Sequence, residues 1–260
     1  VGKSLFMCHV ASSCLLQGRN VLYITCEMAE EKIAERIDAN LLDIPIQQLQ
    51  DPLLTKQKYR AKMDVLKKKT QGKLVIKEYP TASAHVGHFK ALLNELSLKK
   101  GFHPEIIFVD YLNICASSRY KGTIVNSYTY VKAIAEELRG LAGEYNVPIL
   151  SATQTTRSGY GNSNVEITDT SESFGLPATA DLMFALISTE DMEELNQIMV
   201  KQLKNRYNDP TVYKRFVLGI DRQKMRLYDC EQGAQDNIID AGDAPKSFTD
   251  TKKSFEGFKI

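Results

Sequence analysis

VGKS, residues 1–4, closes with the Gly-Lys-Ser that also ends the phosphate-binding motif G-x-x-x-x-G-K-[ST]. Only the last four positions of that motif are present, so either the match is chance or the chain is cut within the motif. Apolar residues follow at helical spacing: Leu5, Phe6, Val10 and Leu15. The Gly-Lys-Ser would therefore stand at a helix N-terminus, where free N–H groups and the helix dipole attract phosphate. This context favours a nucleotide site at Gly2, Lys3 and Ser4 over a plain helix cap.

A second motif, IIFVD at Ile106–Asp110, is a buried hydrophobic run that ends in a carboxylate. Open α/β sheets bind ligands at the C-terminal ends of their strands. An Asp at such an end supports the Mg²⁺ that is carried by a Ser hydroxyl and the β- and γ-phosphates of a nucleotide. We therefore expect Ser4 and Asp110 to hold Mg²⁺. The alternative for Asp110 is a cap on the following turn.

Composition and charge limit the class of protein without selecting a partner. The 260 residues are 43% hydrophobic and 25% charged, which is the balance of one soluble domain with a sizeable core. The net charge of +1 neither requires nor excludes nucleic acid, because a local basic stripe can bind phosphates while other surface charges compensate.

The five cysteines lie apart and form no C-x-x-C pair, which predicts reduced thiols in a cytosolic protein and no disulfide or zinc site. No apolar run approaches the length of a membrane span. We therefore expect a cytoplasmic protein without a membrane partner.

The alternation of Val- and Ile-rich runs with helical segments predicts an α/β fold with a mainly parallel sheet flanked by helices. Predicted strands cover residues 21–25, 73–79, 106–110, 148–154 and 182–187, and predicted helices cover 4–16, 29–42, 47–70, 85–98 and 127–145. Alternating patterns at 198–205, 215–221 and 225–229 predict antiparallel strands at one edge, near the C-terminus. Few aliphatic residues follow Cys230, so we expect one domain over 1–230 and a flexible tail over 231–260.

The base that would align an attacking water is predicted at Glu27. Many ATPases place a Glu directly after the metal-binding Asp, but Tyr111 occupies that position here. Glu27 follows the strand at 21–25, which in a sheet of this kind lies beside the strand of Asp110. A carboxylate there can polarise a water without competing for the metal. The alternative for Glu27 is an acid that favours the N-terminus of the next helix.

Four runs in order resemble a known family: EMAEEKIAERI at 27–37, DYLNI at 110–114, SATQTTR at 151–157 and KNRYNDP at 204–210. The sequence is similar to the motor domain of DnaB-type (superfamily 4) replicative DNA helicases, and is closest to those of the T-even phages. The similarity covers about residues 1–229 and implies a RecA-like P-loop NTPase core. It also implies an ATP- and Mg²⁺-dependent hexameric ring that translocates on single-stranded DNA, expected 5′ to 3′, and unwinds duplex at the replication fork.

The resemblance assigns roles to individual positions. Lys3 would contact the β- and γ-phosphates, Glu27 would be the catalytic base, and Gln154 would be the sensor of the γ-phosphate. A Gln at the end of a buried strand is unusual if it is only structural, because its amide needs partners. Lys204 and Arg206 would enter the ATP site of the neighbouring subunit, with Arg206 as the arginine finger. The alternative for this pair is an exposed basic strand edge.

The resemblance also predicts two DNA-facing loops, one after each of the strands that end near Asp110 and Gln154. Their candidate DNA-binding residues are Arg119, Tyr120 and Lys121 in the first loop and Arg157 and Tyr160 in the second. Aromatic rings or positive charges in these loops can bind single-stranded DNA without recognising its sequence. The alternative is that either loop only connects two elements. Primase and a helicase loader are implied as partners, and the host cytoplasm as the location if a phage encodes the chain.

The sequence differs from a complete family member because the leading P-loop glycine, the strand before it and an N-terminal collar domain are missing. We expect a fragment of only these residues to be unstable and to bind ATP poorly. Three other interpretations remain open: a RecA- or KaiC-like ATPase acting in recombination or another assembly, a non-catalytic assembly module, and a small-molecule P-loop kinase. Retention of Lys3, Glu27, Asp110, Gln154 and Arg206 argues against a non-catalytic scaffold.

Overall fold

The computed structural model describes residues 2–49, 56–120, 125–155, 175–209, 212, 214–231 and 235. Within them the helices are α1 Lys3–Leu16, α2 Glu30–Leu42, α3 Ile46–Leu49, α4 Lys56–Lys69, α5 Val86–Lys100, α6 Ser127–Tyr145, α7 Gly175–Thr179 and α8 Glu190–Glu194. The strands are β1 Val21–Thr25, β2 Leu74–Glu78, β3 Ile106–Asp110, β4 Ile149–Ser151, β5 Leu182–Ile187, β6 Gln197–Asn205, β7 Arg215–Asp221 and β8 Arg226–Asp229. A 3-10 helix, Leu112–Ile114, follows β3. No helix in the described part of the chain has the length and hydropathy to cross a bilayer.

The first sheet is parallel, with strand order β2-β1-β3-β4. Alternate residues of its central strands enter two separate cores. Leu22, Ile24, Ile107 and Val109 pack with residues of α5 and α6, whereas Val21, Tyr23 and Phe108 pack with residues of α1 and α2. Both faces are covered, which explains why β1 and β3 are apolar at nearly every position. Each fully buried aliphatic side chain contributes about 1.5 to 3 kcal/mol to this arrangement.

The second sheet is antiparallel, with strand order β5-β6-β7-β8. The predicted α/β class with antiparallel strands near the C-terminus is confirmed, and the structure adds that these strands form a four-stranded sheet together with β5. Leu5 of α1 packs on Ile198, Ile220 and Leu227 of this sheet. Helix α1 therefore contacts both sheets.

Two predicted elements differ most from those observed. The helical stretch predicted over 47–70 contains α3 and α4, and residues 50–55 between them are outside the described residues. The strand predicted over 148–154 is shorter, because pairing of β4 with β3 ends at Val109 and Ser151. Beyond that point the Ala152 carbonyl accepts instead from the Leu112 N–H.

The domain boundary at 230 stays a prediction, since little of 231–260 is described. Gln235 nevertheless contacts the second sheet. Its Oε1 accepts from the N–H of Val217 at 2.9 Å, and its Nε2 donates to the carbonyl of the same residue at 2.7 Å. At least this position beyond the predicted boundary therefore binds β7.

His9 links α1 to the second sheet. Its Nδ1 accepts from the Leu227 N–H at 3.3 Å and lies 3.1 Å from Asn40 Nδ2, while Asn40 also donates to the Met225 carbonyl. Burial, and to a lesser degree the charge of Arg226, lower the pKa of His9. Nδ1 can accept a hydrogen bond only when the imidazole is neutral. Protonation of Nδ1 therefore breaks the hydrogen bond from the Leu227 N–H that links α1 to the second sheet.

We expect the protein to lose stability as pH falls through the unfolded-state His pKa of about 6.5. The pKa of His9 is lower in the folded state, so the unfolded chain takes up the proton first. Urea melts at about pH 7.5 and about pH 5.5 should show a lower midpoint at the acidic pH. His9→Gln should reduce this difference, whereas His103→Gln, at an exposed position, should leave it in place. If the urea midpoint of His9→Gln falls between the two pH values as much as that of the wild type, His9 is not the source of the pH dependence.

Candidate nucleotide site and finger residues

Asp110 lies at the C-terminal end of β3 and is fully buried. Its Oδ2 accepts from the hydroxyl of Tyr23 at 3.0 Å, while its Oδ1 is buried without a hydrogen-bond partner in the described part of the chain. Tyr23 stacks on Phe108 of the neighbouring strand with 5.6 Å between ring centroids. Burial, and then the charges and hydrogen bonds of Cys8 and Asp110, raise the pKa of Tyr23, so its hydroxyl remains a donor. One carboxylate oxygen is thus fixed and the other is left for a ligand.

The residues predicted to hold Mg²⁺ fit that ion. A buried carboxylate oxygen without a partner is costly unless a cation or a water satisfies it. Asp110 Oδ1 is such an atom, and Ser4 supplies a hydroxyl in the first turn of α1. Both are oxygen ligands, which Mg²⁺ prefers, and the remaining positions around this ion are commonly taken by water and phosphate.

Tyr111 connects two of the predicted site residues. The Nζ atom of Lys3 lies over its ring, 5.2 Å from the centroid, and Gln154 Nε2 donates to its hydroxyl at 3.0 Å. Gln154 is exposed and lies three residues past the end of β4, so the sequence-based placement at the end of a buried strand was wrong in that detail. Its amide nonetheless has a partner inside the site.

Glu27 lies two residues beyond β1, whose Thr25 is in register with Asp110 of β3. The prediction that its strand lies beside the strand of Asp110 is therefore confirmed. Glu27 is exposed, and its charge adds to burial in raising the pKa of Tyr111. The carboxylate of Glu27 thus lies close enough to Tyr111 to act on it electrostatically, at the same edge of the sheet as Asp110.

Lys204 and Arg206 bind the C-terminal end of α7. Lys204 Nζ donates to the carbonyls of Pro177 and Ala178 at 2.6 and 3.3 Å, and Arg206 Nη2 donates to the carbonyl of Ala178 at 3.1 Å. The shared acceptor agrees with the prediction that both cations point to one side. Among the described residues their contacts are with α7 and Asp181, and none is with Lys3 or Asp110.

Of the candidate DNA-binding residues, Arg119 and Tyr120 are described, and Arg119 pairs with Glu136 at 2.5 Å. Lys121, Arg157 and Tyr160 lie outside the described residues.

Glu137, next to Glu136 on α6, anchors the start of the first loop. Its carboxylate accepts from the Ser117 hydroxyl at 2.7 Å and from the Ser118 N–H at 2.9 Å, and further bonds come from the Ser118 hydroxyl and the Arg119 N–H. Burial raises its pKa, but these hydrogen bonds outweigh burial and the pKa is lowered overall. Sequence reasoning missed Glu137. The available signal was a carboxylate three residues after Ile134, on the apolar face of the helix.

Three features define a RecA-like P-loop NTPase. They are a Gly-Lys-Ser at the start of α1, a buried carboxylate with a free oxygen at the end of β3, and an amide three residues after β4. A family model described as DnaB-like helicase C terminal domain matches residues 1–215, and the chain belongs to this family. The predicted resemblance is therefore confirmed.

Individual relatives support the same family assignment. The chain is 46% identical over 233 residues, 89% of its length, to a DnaB-like replicative helicase of Enterobacteria phage T4, and covers 49% of that protein. It is 25% identical over 190 residues, 72% of its length, to the replicative DNA helicase DnaB of Helicobacter pylori (strain ATCC 700392 / 26695), of which it covers 37%. The chain thus spans about half the length of the T4 relative, or less than half for the other.

Two solved structures have the same fold at 16% identity. One is described as a DnaB-like replicative helicase and its interactions with primase, with a TM-score of 0.72 over 88% of this chain and 55% of that one. The other is described as an ATPase domain, also with a TM-score of 0.72, over 88% of this chain and 81% of that one.

Proposed function

We propose that the chain is the ATPase motor of a replicative DNA helicase that acts as a hexameric ring on single-stranded DNA. The observation that carries the proposal is the group formed around Tyr111, which contacts both Lys3 and Gln154 and directly follows Asp110, whose Oδ1 is free. A P-loop lysine and a metal-binding carboxylate are recurring parts of the P-loop NTPases that transfer a phosphoryl group from a nucleotide. Family membership and similarity to the T4 relative support DNA unwinding as the work performed.

In this mechanism Lys3 would contact the phosphates, and Ser4 and Asp110 would hold Mg²⁺. An ion held there would supply positive charge to offset that of the β- and γ-phosphates. Tyr23 keeps the Asp110 carboxylate oriented through Oδ2 and so keeps Oδ1 available. Glu27 orients the attacking water and accepts its proton. Gln154 reports the presence of the γ-phosphate to the loop that follows it.

Arg206 and Lys204 complete the site of the next subunit, so each ATP lies between two copies of the chain. Hydrolysis then changes the contact between neighbours, which is how a closed ring converts ATP turnover into movement. The loops that contain Arg119 and Lys121, and Arg157 and Tyr160, face the strand in the central channel. Primase and a helicase loader are the proposed protein partners, in the cytosol of the cell that replicates the DNA. One similar structure is described in terms of primase interactions.

Fork unwinding by the full-length protein tests this proposal. We expect ATP-dependent separation of a fork with a free 5′ tail and a 3′ flap, no separation when the 5′ tail is absent, and stimulation of ATP hydrolysis by single-stranded DNA. Lys3→Ala should abolish both activities, because the lysine contacts the transferring phosphate. Filament formation and strand exchange without unwinding would contradict the proposal and favour a RecA- or KaiC-like ATPase.

A further inference from the structure

The finger residues belong to a charged cluster that the proposed function does not explain. Three cationic side chains donate hydrogen bonds to the last backbone carbonyls of α7. Besides Lys204 and Arg206, Arg139 of α6 donates from Nη1 to the carbonyl of Thr179 at 2.6 Å. The last carbonyls of a helix have no N–H partner within the helix, and these side chains satisfy them with hydrogen bonds and positive charge.

Asp181 is the acid of this cluster. Its Oδ1 lies 2.9 Å from Arg139 Nη1 and 3.0 Å from Arg206 Nη1, so one carboxylate oxygen is shared by two guanidinium groups. The backbone carbonyl of Asp181 also accepts from the N–H of Arg206 at 2.9 Å. Asp181 directly precedes β5, and Leu182 and Asn205 pair across β5 and β6, which brings Asp181 opposite Arg206.

The contacts fix the plane of the Arg206 guanidinium and leave part of it free. Nη2 donates to the Ala178 carbonyl and Nη1 forms an ion pair with Asp181, so within the described part of the chain these contacts take up at most two of its five N–H donors. The side chain is 41% exposed, so the other donors can reach an external anion. One carboxylate against three cations leaves the cluster positive, and burial together with the charge of Arg206 lowers the pKa of Lys204.

We propose that Asp181, bridged to Arg139, is a positioning residue for Arg206 that aims its free donors at the phosphates in the neighbouring subunit's site. This inference rests on the proposed function. The same contacts connect Arg206 to α7, which follows the predicted second DNA loop, and to α6, which follows the first. A movement of α7 therefore moves the carbonyl of Ala178 and changes the aim of Arg206.

The test compares Asp181→Asn with a matched control in the full-length protein. Asp181→Asn keeps the shape of the side chain and removes its charge, while Glu144→Gln removes an equivalent carboxylate from the exposed Lys90–Glu144 ion pair. A finger displaced by about 1 Å should lower kcat of DNA-stimulated ATP hydrolysis by about 10- to 100-fold, with KM for ATP changed less than about threefold. Glu144→Gln should leave kcat within about twofold of wild type.

A second readout separates positioning from general stability. ADP with aluminium fluoride mimics the transferring phosphoryl group, so its binding depends on an aimed finger, whereas binding of ADP alone does not. Asp181→Asn should weaken binding of ADP with aluminium fluoride by about tenfold and leave the affinity for ADP alone within about twofold of wild type. Arg139→Lys keeps the charge but replaces the planar guanidinium whose Nη1 contacts both Thr179 and Asp181, and should show a smaller loss in the same direction.

The failure of this inference differs from the failure of the proposed function. Wild-type kcat and wild-type analogue binding in Asp181→Asn, alongside inactive Arg206→Ala, would overturn the positioning role and leave the finger in place. Wild-type turnover in both variants would overturn the finger itself. If Asp181→Asn does not assemble into rings, kcat and binding of ADP with aluminium fluoride are measured in Arg139→Lys instead. Wild-type values of both in that variant would overturn the positioning role.

Discussion

Arg206→Ala in the full-length protein is expected to lower DNA-stimulated ATP turnover by about 10³-fold or more, which is the range for arginine fingers in phosphoryl transfer. The guanidinium stabilises charge that develops on the transferring phosphoryl group, so the loss should appear in kcat more than in ATP affinity. Steady-state ATPase assays with and without single-stranded DNA measure it. Arg19→Ala is the matched control, since Arg19 forms an exposed pair with Glu105 at the N-terminal end of β1.

Mixed rings show whether Arg206 acts across the subunit interface. Arg206→Ala subunits keep Glu27, and Glu27→Gln subunits keep Arg206, so in a random mixture about one quarter of the interfaces combine an intact base with an intact finger. We expect the mixture to hydrolyse ATP faster than either variant alone. Turnover within about threefold of wild type in rings of Arg206→Ala alone would contradict the finger assignment.

The central strands were predictable from the sequence because their cause is local. β1 and β3 are buried on both faces, so a run of four apolar or aromatic residues followed by one polar residue suffices to mark each, and the predicted bounds are those observed. β4 was predicted too long because its end is set by pairing with β3. The apolar-to-polar run at 148–154 contains no Gly or Pro after its first residue that would indicate where this pairing stops.

The motif residues of the site were predictable, but the residues that orient them were not. Asp110 could be recognised from the strand that it ends. Tyr23 is one apolar-looking residue within β1, and only the register of β1 on β3 brings its hydroxyl to Asp110. Tyr111 was interpreted as the residue that replaces a catalytic Glu, and its contacts with Lys3 and Gln154 depend on three separate elements. The same limit applies to Asp181, whose partners come from α6 and from the residue that follows β6.

Glu27→Gln in the full-length protein is expected to lower the kcat of ATP hydrolysis by about 10²- to 10⁴-fold while ATP still binds. Gln retains the shape of Glu and a hydrogen bond to water, but it cannot accept the proton that the water loses on attack. Glu27 suits this role because it lies at the sheet edge shared with Asp110 and is exposed, so it is not used to stabilise the core. Glu31→Gln, an exposed acid in the first turn of α2, is the matched control.

Binding and turnover must be measured separately for this variant. Fluorescent ATP should bind Glu27→Gln with an affinity within about threefold of wild type, because Lys3, Ser4 and Asp110 make the phosphate and metal contacts. Rings that hold ATP without hydrolysing it should also retain single-stranded DNA. A kcat loss of less than about threefold would show that another group takes the proton. A large loss of ATP affinity with unchanged kcat would instead assign Glu27 to nucleotide binding, and the base would have to be sought elsewhere at this edge of the sheet.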